Sequence, residues 1–361
     1  MRALRNLFVI IFALTISGCA AGQHSFFKAA PPSENYSVVK VYYGTDRNRT
    51  ASEKPSECFG CGRGEMSYGL CEVSIPREHR MGKLEAPSVW RLEFREDPEK
   101  HIVLLKVTPE DKDKYFSALK ERVASSKGSK LFIFIHGYNV TFEDAARRTA
   151  QMSYDLGFDG APVFYSWPSR GTLTGYTIDE NNVEWTDAHL RNFIEEVAEK
   201  TQAQNIYLIA HSMGTRALTR AFGEAVVEQP GLKNRFREII LAAPDIDTDT
   251  FKNYIAPQII GEGPGVSLYA SSKDLALKES KKINGAPRLG DSTGGICIVS
   301  GMDSIDATNL DTSLVGHSYY GDRKSILADF YYLINEGQRP DKRFGLEKVS
   351  TPSGIYWKFS K

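Results

Sequence analysis

Runs of apolar residues with the character of buried strands recur along the chain from about residue 115 onward. Five of them are nearly continuous in apolar, often β-branched side chains: LFIFIH (131–136), PVFYSW (162–167), IYLIAH (206–211), EIILAA (238–243) and VSLYAS (266–271). Continuous rather than alternating apolar character is typical of strands buried on both faces of a parallel sheet. GICIVS (295–300) is predicted as a sixth strand.

Helical periodicity fills the gaps between these strands. Apolar residues recur at helical spacing in four segments, at 141–156, 187–200, after residue 212, and from about 322 to 335. Thr141 and Asp144 resemble the two ends of a capping box. Strands that alternate with helices predict a mostly parallel, doubly wound α/β sheet with helices on both faces.

The N-terminal part of the chain is strand-like but less regular. Residues 36–110 contain three strand-like runs and a cysteine-containing insert, and we expect them to extend the sheet as an N-terminal β extension. Together with a catalytic core at 115–337 they form one predicted domain, 36–345. Residues 346–361 are predicted to be a C-terminal tail.

The first residues have the composition of an export signal. Arg2 and Arg5 precede a short apolar run, which is too short for a transmembrane helix, and ISGC at 16–19 resembles a bacterial lipobox. The pattern predicts a signal peptide at 1–18, lipidation of Cys19 and a tether at 19–35. We expect a lipid anchor to hold the protein in the bacterial cell envelope, at the outer membrane facing the periplasm. The alternative is a plain signal peptide with an incidental cysteine.

The composition of the chain mainly excludes certain classes of partner and site. The 361 residues include 45 basic and 45 acidic side chains, so no global field favours nucleic acid as a partner. Loss of the leader removes two arginines and leaves the mature chain slightly acidic. Four further cysteines, an even number, predict disulfides in an oxidising compartment, with the pairing left open: Cys58, Cys61, Cys71 and Cys297. A metal site is the disfavoured alternative, because no second CxxC or suitably spaced histidine accompanies them.

The strongest chemical signal is the sequence Ala210-His211-Ser212-Met213-Gly214, where a predicted buried strand meets a predicted helix. It is a variant of the G-x-S-x-G turn, in which small residues allow a strained backbone to present a serine hydroxyl above the sheet. The start of the helix directs backbone N–H groups at any negative charge that the serine creates. Ser212 is therefore the candidate nucleophile, although small residues at such a turn can also serve packing alone.

His136-Gly137-Tyr138 ends an earlier predicted strand. In α/β hydrolases an HG-x loop at this place gives one backbone N–H to the oxyanion hole, and the residue after the nucleophile gives the other. The predicted donors are thus the amides of Tyr138 and Met213. His136 is predicted to orient the loop by hydrogen bonding, with a plain core histidine as the alternative.

A serine nucleophile needs a base and an acid, and the hydrolase order is serine, acid, histidine. His317 follows the last predicted strand and is the candidate base. Asp274 follows the strand at 266–271 and is the candidate acid. Asp245 and Asp247, after the preceding strand, remain alternatives that the sequence does not separate.

Several motifs in order resemble a bacterial α/β-hydrolase family of uncharacterised role: YYGTDR (42–47), HGYN (136–139), FYSWPSRG (164–171), AHSMG (210–214), LAAPDID (241–247), YASSKDLAL (269–277), PRLGD (287–291) and GHSYY (316–320). The resemblance implies the α/β-hydrolase fold and a serine-hydrolase triad, but no substrate. It also draws attention to Trp167, Pro168 and Arg170 in a polar loop at 168–184 that could line or cover the site.

The sequence thus predicts a serine hydrolase that cleaves a small-molecule or lipid ester through an acyl-enzyme intermediate, without a metal or organic cofactor. Thioesterase or acyltransferase chemistry would use the same residues, because the fold does not fix the substrate. The alternative from another class is a non-catalytic surface lipoprotein that uses the hydrolase scaffold for binding.

Overall fold

One mixed sheet organises the part of the chain that the computed structural model describes, residues 35–88, 93–310 and 326–360. Its eleven strands lie in the order β10-β11-β9-β8-β7-β6-β4-β5-β1-β2-β3. The strand bounds are β1 Tyr36–Arg49, β2 Phe59–Pro76, β3 Leu104–Glu110, β4 Lys130–Ile135, β5 Ala161–Ser166, β6 Asn205–His211, β7 Phe236–Ala242, β8 Gly265–Ala270, β9 Met302–Asp306, β10 Leu346–Thr351 and β11 Gly354–Phe359.

Helices cover both faces of this sheet. Their bounds are α1 Lys112–Ala124, α2 Phe142–Asp155, α3 Tyr176–Trp185, α4 Asp187–Lys200, α5 Gly214–Glu228, α6 Thr248–Thr250, α7 Ala256–Ile259, α8 Leu275–Asn284 and α9 Ile326–Ile334. The predicted capping box is present at α2, where Thr141 accepts a hydrogen bond from the backbone of Asp144 and Asp144 reaches back to the backbone of Thr141.

The centre of the sheet is parallel throughout, from β5 through β4, β6, β7 and β8 to β9. Every residue of β5 is buried, as are all but the first of β4, and one apolar cluster packs on each face of the sheet. This burial explains the continuous apolar runs of the sequence. The prediction of an α/β-hydrolase fold with a doubly wound, mostly parallel sheet is confirmed.

The N-terminal strands extend the same sheet. β1 pairs parallel to β5, and β2 and β3 then add antiparallel strands at the edge. The parallel pairing brings the carboxyl end of β1 to the edge of the sheet where β4 to β9 also end. Residues just after Thr45 are therefore placed beside the candidate site.

The opposite edge differs from the prediction. Residues 346–361 are not a tail, because β10 and β11 form a hairpin whose second strand pairs parallel to β9. Phe359, the last residue of β11, is buried, and Trp357 packs against the same apolar cluster. One charged residue, Lys358, separates these aromatic side chains, and the six residues of β11 are too few for a clear strand pattern.

Two further segments were predicted incorrectly. The strand expected at 295–300 is irregular, and the strand in that position of the sheet is β9, which begins at Met302 after a turn closed by its N–H on the Val299 carbonyl oxygen. The loop expected at 168–184 contains most of α3. A segment rich in polar residues is helical here because α3 packs against α5 and Asp179 makes hydrogen bonds to the loop beneath it.

Candidate functional site

Ser212 occupies a strained turn between β6 and α5. Its φ of 50° lies in the left-handed region, which residues other than glycine rarely adopt. The turn is fixed on both sides, because the Ser212 N–H donates to the carbonyl oxygen of Ala242 at 3.0 Å and its own carbonyl accepts from the Asp245 N–H at 3.3 Å. Ser212 is half-buried. Strain of this kind persists where the surrounding structure enforces it, and it clusters at active sites.

Two glycines allow this turn to pack against the loop that follows β4. A Cβ added to Gly214 would lie less than 3.0 Å from the backbone of His136, closer than real Cβ atoms approach. A Cβ on Gly137 would be 2.9 Å from the Cβ of Ser212. The predicted oxyanion loop and the candidate nucleophile are therefore in direct contact, and both glycines are needed for that approach.

His136 lies beneath this loop and is completely buried. Burial, together with the nearby Arg47 guanidinium, holds the pKa of His136 well below its usual range, so the ring is neutral. Its Nδ1 lies 2.8 Å from the carbonyl oxygen of Gly137, and its Nε2 lies 3.1 Å from the Ser166 hydroxyl. The ring stacks on Trp167, whose indole N–H donates to the His136 carbonyl oxygen at 2.8 Å. These contacts make His136 a support for the loop rather than a group that can reach a substrate.

The loop is also tied from above by Asp179 of α3. Its carboxylate accepts hydrogen bonds from the Asn139 N–H at 3.3 Å, the Ser169 hydroxyl at 2.6 Å and the Arg170 N–H at 2.8 Å. Ser169 in turn accepts from the Val140 N–H at 3.2 Å. Asn139 itself has a positive φ of 59°. Sequence reasoning did not identify Asp179, because the polar segment around it was interpreted as a loop.

The two predicted oxyanion donors belong to the two segments that meet at Ser212, the loop after β4 and the start of α5. Tyr138 is half-buried, and its ring packs edge-on against Tyr176 of α3 at a centroid distance of 5.4 Å. Met213 is buried and directly precedes α5, a helix of 15 residues. Its N–H therefore lies at the positive end of the helix dipole, where negative charge on a substrate oxygen is stabilised.

Asp274 lies at the carboxyl end of β8, at the edge where β6 ends. It is the N-cap of α8, and its Oδ1 accepts from the Leu277 N–H at 3.0 Å. Burial is the main cause that raises the pKa of Asp274, and the nearby carboxylates of Asp245 and Asp291 add to the rise. Backbone hydrogen bonds from Leu277 and Ala276 act in the opposite direction and lower the pKa of this carboxylate, but burial outweighs them.

Asp245, the first alternative acid, is committed to a buried network. Its carboxylate accepts from the Tyr176 hydroxyl at 2.8 Å and the Ser280 hydroxyl at 2.5 Å, and it pairs with Arg216 at 3.0 Å. Arg216 also donates to the Asp245 carbonyl oxygen at 2.6 Å. Arg288 lies 3.6 Å from the other carboxylate oxygen. These contacts join α3, α5 and α8 below the site.

Asp247, the second alternative, caps the short helix α6 by accepting from the Thr250 N–H at 2.7 Å. His211 lies beside the same loop, because a Cβ added to Gly137 would be 2.9 Å from its Nδ1. Burial, with a contribution from Arg148, lowers the pKa of His211 to about 4. Ala210 is fully buried in β6.

The candidate base His317 and the candidate lipidation site Cys19 lie outside the described residues.

The cysteines do not pair as the sequence suggested. Cys58, Cys61, Cys71 and Cys297 are all free thiols. Cys58, Cys61 and Cys71 lie in or next to β2 near one edge of the sheet, and Cys297 lies just before β9 on the far side of the parallel centre. Within the described ranges no group of three or more metal-binding side chains is found, and no helix there has the length and apolar character to cross a bilayer.

Comparison with known proteins agrees with this fold. The profile of a family described as "Alpha/beta hydrolase of unknown function (DUF900)" matches residues 111–336, more than half of the chain. A search of curated proteins gave no match.

Among solved structures, the crystal structure of Aspergillus fumigatus lipase B aligns with 50% of this chain and 44% of its own, at 13% identity and a TM-score of 0.31. The aligned part is thus less than half of that lipase, and a likeness at this level carries no argument about activity. The matched family covers α1 to α9, including the Ser212 turn and the loop that packs on it. This chain belongs to the DUF900 family of α/β hydrolases.

Proposed function

We propose that the protein is a serine hydrolase that cleaves an ester through a covalent acyl-enzyme intermediate. The observation that carries the proposal is the strained Ser212 turn, held at φ 50° between a buried strand and a helix start, with the Gly137 loop packed against it. The left-handed φ of Ser212 costs free energy that a purely structural turn could avoid by using glycine at position 212. A nucleophile with preformed oxyanion donors explains that cost.

In the proposed mechanism His317 accepts the proton of the Ser212 hydroxyl as the oxygen attacks the ester carbonyl carbon. The amides of Tyr138 and Met213 stabilise the oxyanion of the tetrahedral intermediate. His317 then donates its proton to the departing alcohol, and the acyl group remains on Ser212. A water molecule, deprotonated by His317, releases the acid and restores the serine.

The acid of the proposed triad is Asp274. It lies at the carboxyl edge of the sheet as the N-cap of α8, and its carboxylate has no charged partner among the described residues, so an imidazolium would be its first counter-charge. Asp245 is a weaker candidate because both of its carboxylate oxygens already contact hydroxyl and guanidinium groups. Asp247 is occupied as a helix cap.

The proposed substrate is a small-molecule or lipid ester, and thioesterase or acyltransferase chemistry at the same serine is the nearest alternative. The second part of the proposal is that the protein is exported and held at the outer membrane by acylation of Cys19. A lipid ester fits this location.

Export and acylation are tested together by metabolic labelling with a radioactive fatty acid. The wild type should incorporate label into the envelope fraction, and the Cys19→Ala variant should not.

Hydrolysis of p-nitrophenyl esters of increasing acyl length tests the enzymatic part. The wild type should release p-nitrophenol, Ser212→Ala should lose at least about 10³-fold of this rate, and the exposed-serine control Ser125→Ala should keep it. Preference for long acyl chains would support a lipid ester, and preference for acetate a small ester. A folded wild type with no esterase activity would favour the non-catalytic binding role.

A further inference from the structure

We infer that Arg47 is a positioning residue for the oxyanion hole, acting through Ser166 and His136 on the peptide that joins Gly137 to Tyr138. This inference rests on the proposed function, because it assigns a task to the same site. It also makes a structural claim, the tautomer of His136, that can be measured without any substrate.

Arg47 is a buried cation that contacts no carboxylate among the described residues. It lies near the carboxyl end of β1 and is 1% exposed, and its guanidinium is surrounded by oxygen and nitrogen acceptors from three separate segments. It donates to the Val140 carbonyl oxygen at 2.7 Å, the Ser169 carbonyl oxygen at 2.9 Å and the Gly60 carbonyl oxygen at 3.1 Å. Burial lowers its pKa only to about 10, so it stays charged at neutral pH.

The remaining contacts of Arg47 lead to the loop beside Ser212. Its Nε–H donates to the Ser166 hydroxyl oxygen at 2.8 Å, and this hydroxyl lies 3.1 Å from His136 Nε2. The Arg47 Nη2 lies 3.4 Å from the same ring nitrogen. Two donors therefore face Nε2, which favours a lone pair rather than a proton at that position.

The other side of the ring gives the same tautomer. The Gly137 carbonyl oxygen, 2.8 Å from Nδ1, can only accept a hydrogen bond. The backbone of Trp167 also raises the pKa of the ring as a hydrogen-bond acceptor, with a smaller effect than Gly137. Because the ring is neutral and carries a single N–H, the short contact to the Gly137 carbonyl oxygen and the two donors at Nε2 together place that proton on Nδ1. A continuous chain of hydrogen bonds therefore connects Arg47 to the loop. The Arg47 Nε–H donates to the Ser166 hydroxyl oxygen, and the Ser166 hydroxyl donates to His136 Nε2. The His136 Nδ1–H then donates to the Gly137 carbonyl oxygen.

This hydrogen-bond chain fixes the direction of the Tyr138 backbone N–H. The Gly137 carbonyl and the Tyr138 N–H belong to one planar peptide group, and in a trans peptide they point in opposite directions. Holding the carbonyl toward His136 therefore turns the Tyr138 N–H to the opposite side, on a peptide whose Gly137 Cα approaches the Ser212 Cβ. The buried charge of Arg47 keeps the proposed oxyanion donor oriented before a substrate binds.

Steady-state kinetics with p-nitrophenyl acetate test this role. Arg47→Met should lower kcat by about 100-fold with KM changed by less than about threefold, since a lost oxyanion donor costs roughly 10²- to 10³-fold in kcat. Ser166→Ala should lower kcat in the same manner but less. The double variant should be no worse than Arg47→Met alone, because both substitutions interrupt one chain.

Arg339→Met is the matched control. Arg339 pairs with the buried Glu238 at the amino end of β7, the opposite edge of the sheet, so its loss should reduce thermal stability without lowering kcat. If Arg47→Met does not fold, Ser166→Ala decides the kinetic question, because it removes one hydroxyl and leaves the Arg47 contacts to the carbonyl groups. A kcat equal to that of the Arg339→Met control in the folded variants would overturn the inference.

The ring tautomer gives a readout that does not depend on activity. ¹⁵N chemical shifts of the seven histidines, with His136 assigned by its loss in His136→Gln, should show Nδ1 protonated in the wild type. Ser166→Ala should weaken this preference. An Nε2-protonated His136 in the wild type would overturn the inference even if the esterase is active. An Nδ1-protonated ring in a wild type without esterase activity would leave the hydrogen-bond chain intact and refute the proposed function instead.

Discussion

Gly214 at the start of α5 packs directly on the backbone of His136 at the end of β4, with no space for a side chain between them. The contact joins the strand that carries Ser212 to the loop that carries Tyr138. Neither backbone can move away freely, because the His136 carbonyl oxygen is bound by Trp167 and the Ser212 N–H by Ala242. The Ser212 turn and the Tyr138 loop, the candidate nucleophile and oxyanion loop, therefore form one rigid unit.

Substitution of Gly214 by alanine tests this rigidity. Alanine normally stabilises a helix relative to glycine by up to about 1 kcal/mol. Here the added Cβ must displace backbone atoms, so we expect a loss of about 2 kcal/mol or more in the free energy of unfolding, measured with urea. Gly231→Ala is the matched control, since a Cβ there meets nothing within 4 Å and should change stability by less than about 0.5 kcal/mol. Equal effects at the two positions would contradict the packing.

The two candidate acids should separate into one that affects catalysis and one that affects stability. Asp274→Asn keeps a good N-cap for α8, so we expect less than about 1 kcal/mol of destabilisation. Loss of the negative charge beside the base should nevertheless lower kcat by about 10³-fold or more. Urea unfolding and p-nitrophenyl acetate kinetics on the same preparation measure both quantities.

Asp245→Asn should behave in the reverse manner. It leaves Arg216 and Arg288 near an uncharged amide in a buried site, so we expect at least about 2 kcal/mol of destabilisation. Its kcat should fall far less than that of Asp274→Asn when both are measured in the folded state. If Asp245→Asn is the variant that loses activity while Asp274→Asn remains active, the acid is Asp245.

A buried histidine outside the site gives a pH-dependent contribution to stability. His79 lies between Glu85 and Asp155 at 2.7 and 2.8 Å. Burial alone would lower its pKa, but the hydrogen bonds and charges of these two carboxylates outweigh burial and raise the pKa to about 9. Because the folded pKa exceeds the unfolded value of about 6.5, the contribution is fully present below pH 6.5 and is lost as the pH rises through 9.

Urea unfolding at pH 6.0, 7.5 and 9.5 measures this effect. The wild type should lose on the order of 2 kcal/mol across the range, and His79→Gln should be less stable at pH 6.0 and lose distinctly less as the pH rises. Because the two proteins differ only at position 79, the difference between their pH profiles isolates His79. Parallel pH profiles for wild type and His79→Gln would refute the assignment.

The state of the cysteines is directly measurable. Cys58 and Cys61 are half-buried, whereas Cys71 is fully buried and burial raises the pKa of its thiol well above the usual range. A maleimide added without reductant should modify Cys58 and Cys61 in the folded protein and should reach Cys71 and Cys297 only in denaturant. Mass spectrometry of peptides identifies the sites. If thiols stay unmodified in denaturant until a reductant is added, the cysteines are paired after all.

The sequence predicted the parallel centre of the sheet well, because strands buried on both faces leave continuous apolar runs such as LFIFIH and IYLIAH. It predicted the edges poorly. β11 has only six residues, without alternation of apolar and polar positions, and β9 is short and acidic, so neither has a strong periodic signal. Their pairing depends on neighbouring strands that are far away in the sequence.

The sequence indicated which residues could carry the chemistry of the candidate site, but not which residues hold them in place. The serine turn and the HG loop have local motifs, which is why Ser212 and Tyr138 could be named as candidates. Arg47 lies in a recognisable motif, but arginine is rarely buried without a carboxylate, and nothing local indicates that its partners are carbonyl groups from distant loops. Asp179 likewise has meaning only once α3 lies over the loop.

A fluorophosphonate probe tests the central claim most directly, because it reacts only with an activated serine nucleophile. The folded wild type should gain one phosphonyl group, mapped by mass spectrometry to the peptide that contains Ser212. Ser212→Ala, with unchanged thermal stability, should gain none. A folded wild type that stays unmodified, or an adduct on a different serine, would contradict a catalytic Ser212.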